Sequence, residues 1–110
     1  MKNPFQECID ACLACAFACT HCEASCLKEE KVVMMLRCIE LDHQCAAICS
    51  LAVDAMARNS EFAKAICKLC AEICEACGKE CMKHNNDHCR SCADACMRCV
   101  IECRNMSKAK

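Results

Sequence analysis

The 110-residue sequence holds one glycine, one proline, three phenylalanines, and neither tryptophan nor tyrosine. So few chain-breaking residues exclude a turn-rich fold and favour long helices joined by short corners. The shortage of rings excludes a core filled by bulky aromatics and an aromatic platform for stacking bases. Lys and Arg number 14 against 15 Asp and Glu, a net charge of −1. With no basic block, there is no electrostatic footprint for nucleic acid. No stretch approaches the roughly 20 apolar residues that a membrane-spanning helix needs. Ala11 to Ala18 is apolar and Ala16-Phe17-Ala18 has the small-residue pattern of a leader cleavage site. Lys2 is the only positive charge before it, however, and Glu7 and Asp10 interrupt the approach. A leader is therefore not expected, and the reading is a cytoplasmic chain whose thiols stay reduced.

What the sequence does have is cysteine, at 19 positions. Cys8, Cys12, Cys15, Cys19, Cys22 and Cys26 step by four and three in alternation. So do Cys67, Cys70, Cys74, Cys77 and Cys81, and again Cys89, Cys92, Cys96, Cys99 and Cys103. That alternation places each run on one stripe of an α-helix, a heptad seam with thiols where leucine would ordinarily sit. Cys38, Cys45 and Cys49 form a sparser fourth stripe. Its heptad extension runs through Met35, Asp42, Ala52 and Met56, so an acid and an alanine interrupt the thiols.

Helices are expected over about 4–27, 32–58, 61–84 and 88–107. Asn3-Pro4-x-Gln6 reads as a capped start with a capping box. Lys28-Glu29-Glu30-Lys31 is a charged corner, Asn59-Ser60 ends one helix and caps the next, and Asn85-Asn86-Asp87 is a turn. The expected fold is all-α: one domain, an antiparallel up-down-up-down four-helix bundle with a cysteine-lined core. One end of that bundle gathers Cys22, Cys26, Met35, Cys38, Cys81, His84, His88 and Cys89. The other gathers Phe5, Cys8, Met56, Cys67, Cys103 and Met106.

Three uses of so many thiols compete. As plain small hydrophobes they would be replaceable by Ala without the oxidation hazard. As disulfides they face an odd count and a poor spacing. Helical i, i+3 and i, i+4 neighbours have Cβ atoms about 5–6 Å apart, whereas a disulfide needs roughly 3.5–4.5 Å. As metal ligands they fit: two thiolates on one soft ion stand roughly 4.5 Å apart, twice a metal–sulfur bond of about 2.3 Å. Soft sulfur selects Cu(I), Zn(II) or iron–sulfur clusters. Iron–sulfur signatures need loops and a Cys-Pro ending that these runs lack. A zinc–thiolate site with four Cys carries a net charge of −2, and several in one bundle would be costly. One Cu(I) per thiolate is neutral, which gives a capacity of multiple ions, about 19, one per cysteine. Cu(I) storage leads, with a zinc buffer or a structural, partner-binding bundle as the alternatives.

The four cysteine-striped helices, built on Cys-x-x-x-Cys and Cys-x-x-Cys steps, resemble the bacterial copper storage proteins, specifically their cytosolic branch. The resemblance covers about residues 4–107. It implies a four-helix bundle holding many Cu(I) ions in its lumen, a homo-oligomer (tetramer or dimer), and a role in storing copper or limiting its toxicity. It also implies that the cysteines of all four helices are ligands.

Among the other residues, His84 lies on the extended seam and His88 flanks it, both candidate ligands at a bundle mouth. Met35 is a candidate accessory thioether. His21 and His43 fall on outer positions and read as surface residues. Asp42 reads as solvated or capping, with hydrogen bonding inside the lumen or a part in metal passage as the alternative. Gly78 permits close helix approach. Leu13, Phe17, Leu36, Leu51, Phe62 and Leu69 occupy outer positions and suggest contacts between subunits. No base-plus-nucleophile arrangement is present, so no catalysis is expected.

Overall fold

A computed structural model describes residues 3–108. It contains four α-helices: α1 Gln6–Cys26, α2 Leu36–Ala57, α3 Ala63–Cys81 and α4 Asp87–Lys108. A short 3-10 turn, Val32–Met35, leads into α2. The second helix thus begins as the tighter helix for its first four residues. Val32 and Val33 are β-branched and lose side-chain freedom in an α-helix.

The helix ends differ from the sequence reading in instructive ways. At the start of α1 the capping box does not form. Asn3 Oδ1 accepts from the Phe5 N–H at 2.7 Å, and the Gln6 side chain donates forward to Asp10 Oδ1 at 2.8 Å. Asn3 makes an Asx turn instead, a competing use of a short polar side chain. At the end of α2, Asn59 takes the left-handed conformation with φ 53°. The Ser60 N–H reaches back to Ala55 O at 2.8 Å and the Asn59 N–H to Met56 O at 3.2 Å. This is a Schellman closure with Asn in the place usually held by Gly. Ser60 Oγ accepts from the Phe62 N–H at 3.1 Å in a turn, but α3 begins only at Ala63, so Ser60 is not its N-cap and the helix starts two residues later than expected.

Helix α3 stops at Cys81, three residues before the expected end. The Lys83 and His84 N–H groups bond to Glu80 O and Cys81 O, both at 3.1 Å. Those i→i+3 bonds tighten the chain out of the α-helix, so His84 lies in the connecting turn and not on the seam.

Each helix packs on its two neighbours in the chain order, with α1 also against α4. The result is a slender square bundle, 46 × 20 × 18 Å. Small seam residues let the helices approach closely. A Cβ placed on Gly78 of α3 would lie 3.2 Å from Cys96 Cβ and 3.2 Å from Met97 Sδ on α4. Leu13, Phe17, Leu36, Leu51, Phe62 and Leu69 are all exposed, Phe17 at 75%. No helix among the described residues is long and apolar enough to cross a membrane.

Candidate metal centre

The four stripes meet along the bundle axis, and all nineteen cysteines are free and buried. The most exposed is Cys8, at 4%. The thiols form a column along the axis in which the closest sulfurs approach to 3.3–4.0 Å. Within a helix, the close pairs are the i, i+4 steps, such as Cys15–Cys19 at 3.9 Å and Cys70–Cys74 at 3.8 Å. The closest pair is between helices, Cys45–Cys74 at 3.3 Å. Spacing along one helix therefore describes only part of the site.

Several sets of four sulfurs lie within 4.8 Å of one another. Cys12, Cys49, Cys70 and Cys99 take one ligand from each helix, as do Cys15, Cys49, Cys74 and Cys99. Cys15, Cys19, Cys45 and Cys96 form the next set, and Cys19, Cys77, Cys92 and Cys96 the one after. Cys22, Cys26, Cys38 and Cys89 lie toward one end. Cys15, Cys19, Cys49, Cys96 and Cys99 each serve two of these sets, so the sites are chained and not separate. Cys8 and Cys103 approach to 3.7 Å at the far end, beside Phe5 and Met106. Cys67 is buried in the same column.

Asp42 corrects the sequence reading. It is neither solvated nor capping: it is 0% exposed and sits inside the column. Four thiols donate to it. Cys77, Cys92 and Cys81 reach Oδ1 at 3.2, 3.3 and 3.6 Å, and Cys38 reaches Oδ2 at 3.6 Å. Burial, reinforced by the Cys92 sulfur, pushes its carboxyl up to about 11. Burial likewise raises Cys26 and pushes Cys89 up to about 12, so these two metal-free thiols keep their protons. Apart from Asp42, the buried charged residue is Glu80, another acid. Among the described residues no Lys or Arg is buried with the sulfurs. The lumen has nothing to balance accumulated negative charge.

At the end where Cys22, Cys26, Cys38, Cys81 and Cys89 converge, His88 points Nδ1 at three sulfurs. The distances are 3.4 Å to Cys22, 3.6 Å to Cys89 and 4.0 Å to Cys26. Met35 is buried at 5% exposure in the 3-10 turn. His84 lies on the rim with Nε2 3.1 Å from Glu80 Oε2, a carboxylate also paired with Arg37 and Lys83. His43 is a surface residue beside Glu23, and His21 stacks on exposed Phe17.

Residues 1–108 match the family model described as copper storage protein. The chain belongs to the copper storage protein family. A Bacillus subtilis cysteine-rich protein, YhjQ, is 51% identical over 107 residues, 97% of this chain and 99% of its own length. Among solved structures, the Cu(I)-bound copper storage protein BsCsp3 superposes with a TM-score of 0.90 at 53% identity, covering 93% of this chain and 96% of its own. A cytosolic copper storage protein from Streptomyces lividans, loaded with five coppers, gives 0.93 at 36% identity, covering 96% and 93%. These likenesses agree with the four-helix architecture and the thiol-filled core.

Asp42 was visible in the sequence as the one acid on a seam, but its donors come from three helices that only the fold brings together. Glu29 and Glu80, which hold the two rim histidines, gave no sequence signal beyond being acids in or near a corner.

Proposed function

We propose that this chain stores Cu(I) in the cytoplasm as a neutral copper–thiolate column, holding many ions and limiting their toxicity. The observation that carries the reading is a buried column of nineteen sulfurs with no Lys or Arg of the described residues buried beside it. The four-sulfur sets would suit zinc as well by distance alone. Each filled Cys₄ zinc site would add −2 to a lumen in which no Lys or Arg of the described residues is buried, and desolvated charge of that kind is strongly penalised. Cu(I) bridged by thiolates leaves the lumen neutral. A two-coordinate ion holds its sulfurs about 4.5 Å apart, and the pairs now stand at 3.3–4.0 Å. Loading therefore spreads these closest pairs by roughly 0.5–1.2 Å, while the other sulfurs of each four-sulfur set already stand within 4.8 Å of one another.

All nineteen cysteines serve as ligands. Copper arrives at the His88 end: His88 Nδ1 receives it, Met35 adds a thioether, and His84 offers a second ring on the same rim. Ions then pass sulfur to sulfur along shared ligands. The exposed apolar side chains, Phe17 foremost, serve contacts between copies in a dimer or tetramer. Sedimentation of wild type and Phe17→Ser checks this, and a monomeric wild type would overturn it.

The deciding measurement is anaerobic titration of reduced protein with Cu(I) against a competing chelator. About one ion per thiolate is expected, roughly 19 per chain. Saturation at one or two ions would overturn the reading. Zinc saturating at one ion per four thiols, in preference to Cu(I), would replace it with the zinc buffer.

A further inference from the structure

His88 has two ring nitrogens with different surroundings, and a residue from the α1–α2 corner fixes which is which. Glu29 Oε1 lies 3.0 Å from His88 Nε2 and accepts from Asn86 Nδ2 at 2.9 Å. The Glu29 backbone N–H is tied to Cys26 O at 3.1 Å, so the carboxylate is anchored to the end of α1. Its partners come from the first turn of α4 and the residue before it. The His88 side chain is 14% exposed, so water satisfies little of the ring.

A carboxylate can only accept. A neutral imidazole carries one N–H, and the hydrogen bond made by one nitrogen sets the state of the other. With Nε2–H donating to Glu29, the lone pair is on Nδ1, aimed at the Cys22, Cys89 and Cys26 sulfurs. The other tautomer would aim a proton at the sulfurs and leave the Glu29 carboxylate facing a bare nitrogen.

We propose that Glu29 is a positioning residue that locks His88 in the Nε2–H tautomer and holds its Nδ1 lone pair over the Cys22–Cys26–Cys89 cluster as a ready Cu(I) donor. The proposal rests on His88 being the copper-receiving ring. On capture a Cu–N bond to Nδ1 and a Cu–S bond to a neighbouring cysteine form as copper's bonds to the delivering chelator break; the thiol hydrogen bond to Nδ1 is lost, and the proton displaced from that sulfur leaves to solvent, with no change of oxidation state. Glu29 also ties the α1–α2 corner to the start of α4, so a plain structural latch is the rival. A latch would hold the corner without selecting a tautomer.

The test has two arms on full-length protein. In the first, long-range ¹H–¹⁵N spectra of copper-free protein report the His88 tautomer. Wild type and Glu29→Gln, whose amide oxygen still accepts, should show Nε2–H, and Glu29→Ala a mixture. An unchanged tautomer in Glu29→Ala would overturn the proposal.

The second arm times the first Cu(I) captured from a coloured chelator complex, with helicity checked by circular dichroism. Glu29→Ala should slow capture by about tenfold or more, the size of effect seen for orienting partners of metal ligands. Glu29→Gln should restore most of it, and adding Glu29→Ala to His88→Ala should slow it no further. Equal slowing on the His88→Ala background would assign Glu29 to the latch role and overturn the proposal. His88→Ala capturing copper at the wild-type rate would refute His88 as the receiving ring, while the tautomer arm still decides what Glu29 does.

Discussion

Replacing Asp42 with Asn should make the copper-free bundle more stable at neutral pH and change how its stability varies with pH. Asp42 is fully buried among four donating thiols, and its carboxyl is pushed from 3.8 to about 11. Below pH 3.8 it is protonated whether the chain is folded or not, and it contributes no pH dependence. Above that, the unfolded chain releases the proton while the folded bundle keeps it. Ionisation then favours the unfolded state by about 1.4 kcal/mol for each pH unit, until the folded group itself titrates. By pH 7 the accumulated penalty is about 4 kcal/mol, a large share of the stability of a small domain. Asn has nearly the same shape and no proton to lose. Its own burial cost is constant with pH, so the difference in slope is the cleaner quantity. The assay is urea unfolding of reduced, chelator-treated protein between about pH 5 and pH 7, below the range where unfolded thiols ionise appreciably. Wild type should lose stability relative to Asp42→Asn by about 1.4 kcal/mol per unit. Parallel curves would show that the folded lumen holds an ionised carboxylate, and the reasoning from burial would fail.

Copper affinity should run the other way with pH. Each thiol must release a proton to bind, and burial holds Cys26 and Cys89 in the protonated form, so competition titrations should show tighter binding as pH rises. Asn59→Ala should destabilise the bundle by about 1–2 kcal/mol, because φ 53° is strained for a residue with a plain Cβ. Asn59→Gly should be neutral or stabilising in the same denaturation experiment.

The bundle was legible because thiol periodicity repeats over three long runs, and period is the most robust signal a helix leaves. The ends were less so. Asn3 and Gln6 satisfy a capping-box pattern, but Asn3 bonds two residues on and Gln6 turns to Asp10. Two local alternatives of similar energy share one sequence. Extending the α3 seam past Cys81 placed His84 on the column and left His88 at its edge. The helix stops first, and the roles are exchanged. Asp42 was misplaced for another reason. Charged residues are rarely fully buried without partners, and its partners are Cys38 one turn away and Cys77, Cys81 and Cys92 on two other helices. Glu29 and His88 meet across 59 positions of sequence, and no spacing rule reaches that far.

The near-complete enclosure of the thiols makes the metal-free protein chemically quiet. An alkylating or oxidising reagent finds no sulfur more than 4% exposed. It must wait for the helices to part. Whenever they do, an entire row is uncovered together, because the thiols share one column and the wall around it is a single helix thick. A bundle that reclosed slowly would divide into untouched molecules and heavily modified ones, with few between. The protein's own breathing then sets the lifetime of its reduced state.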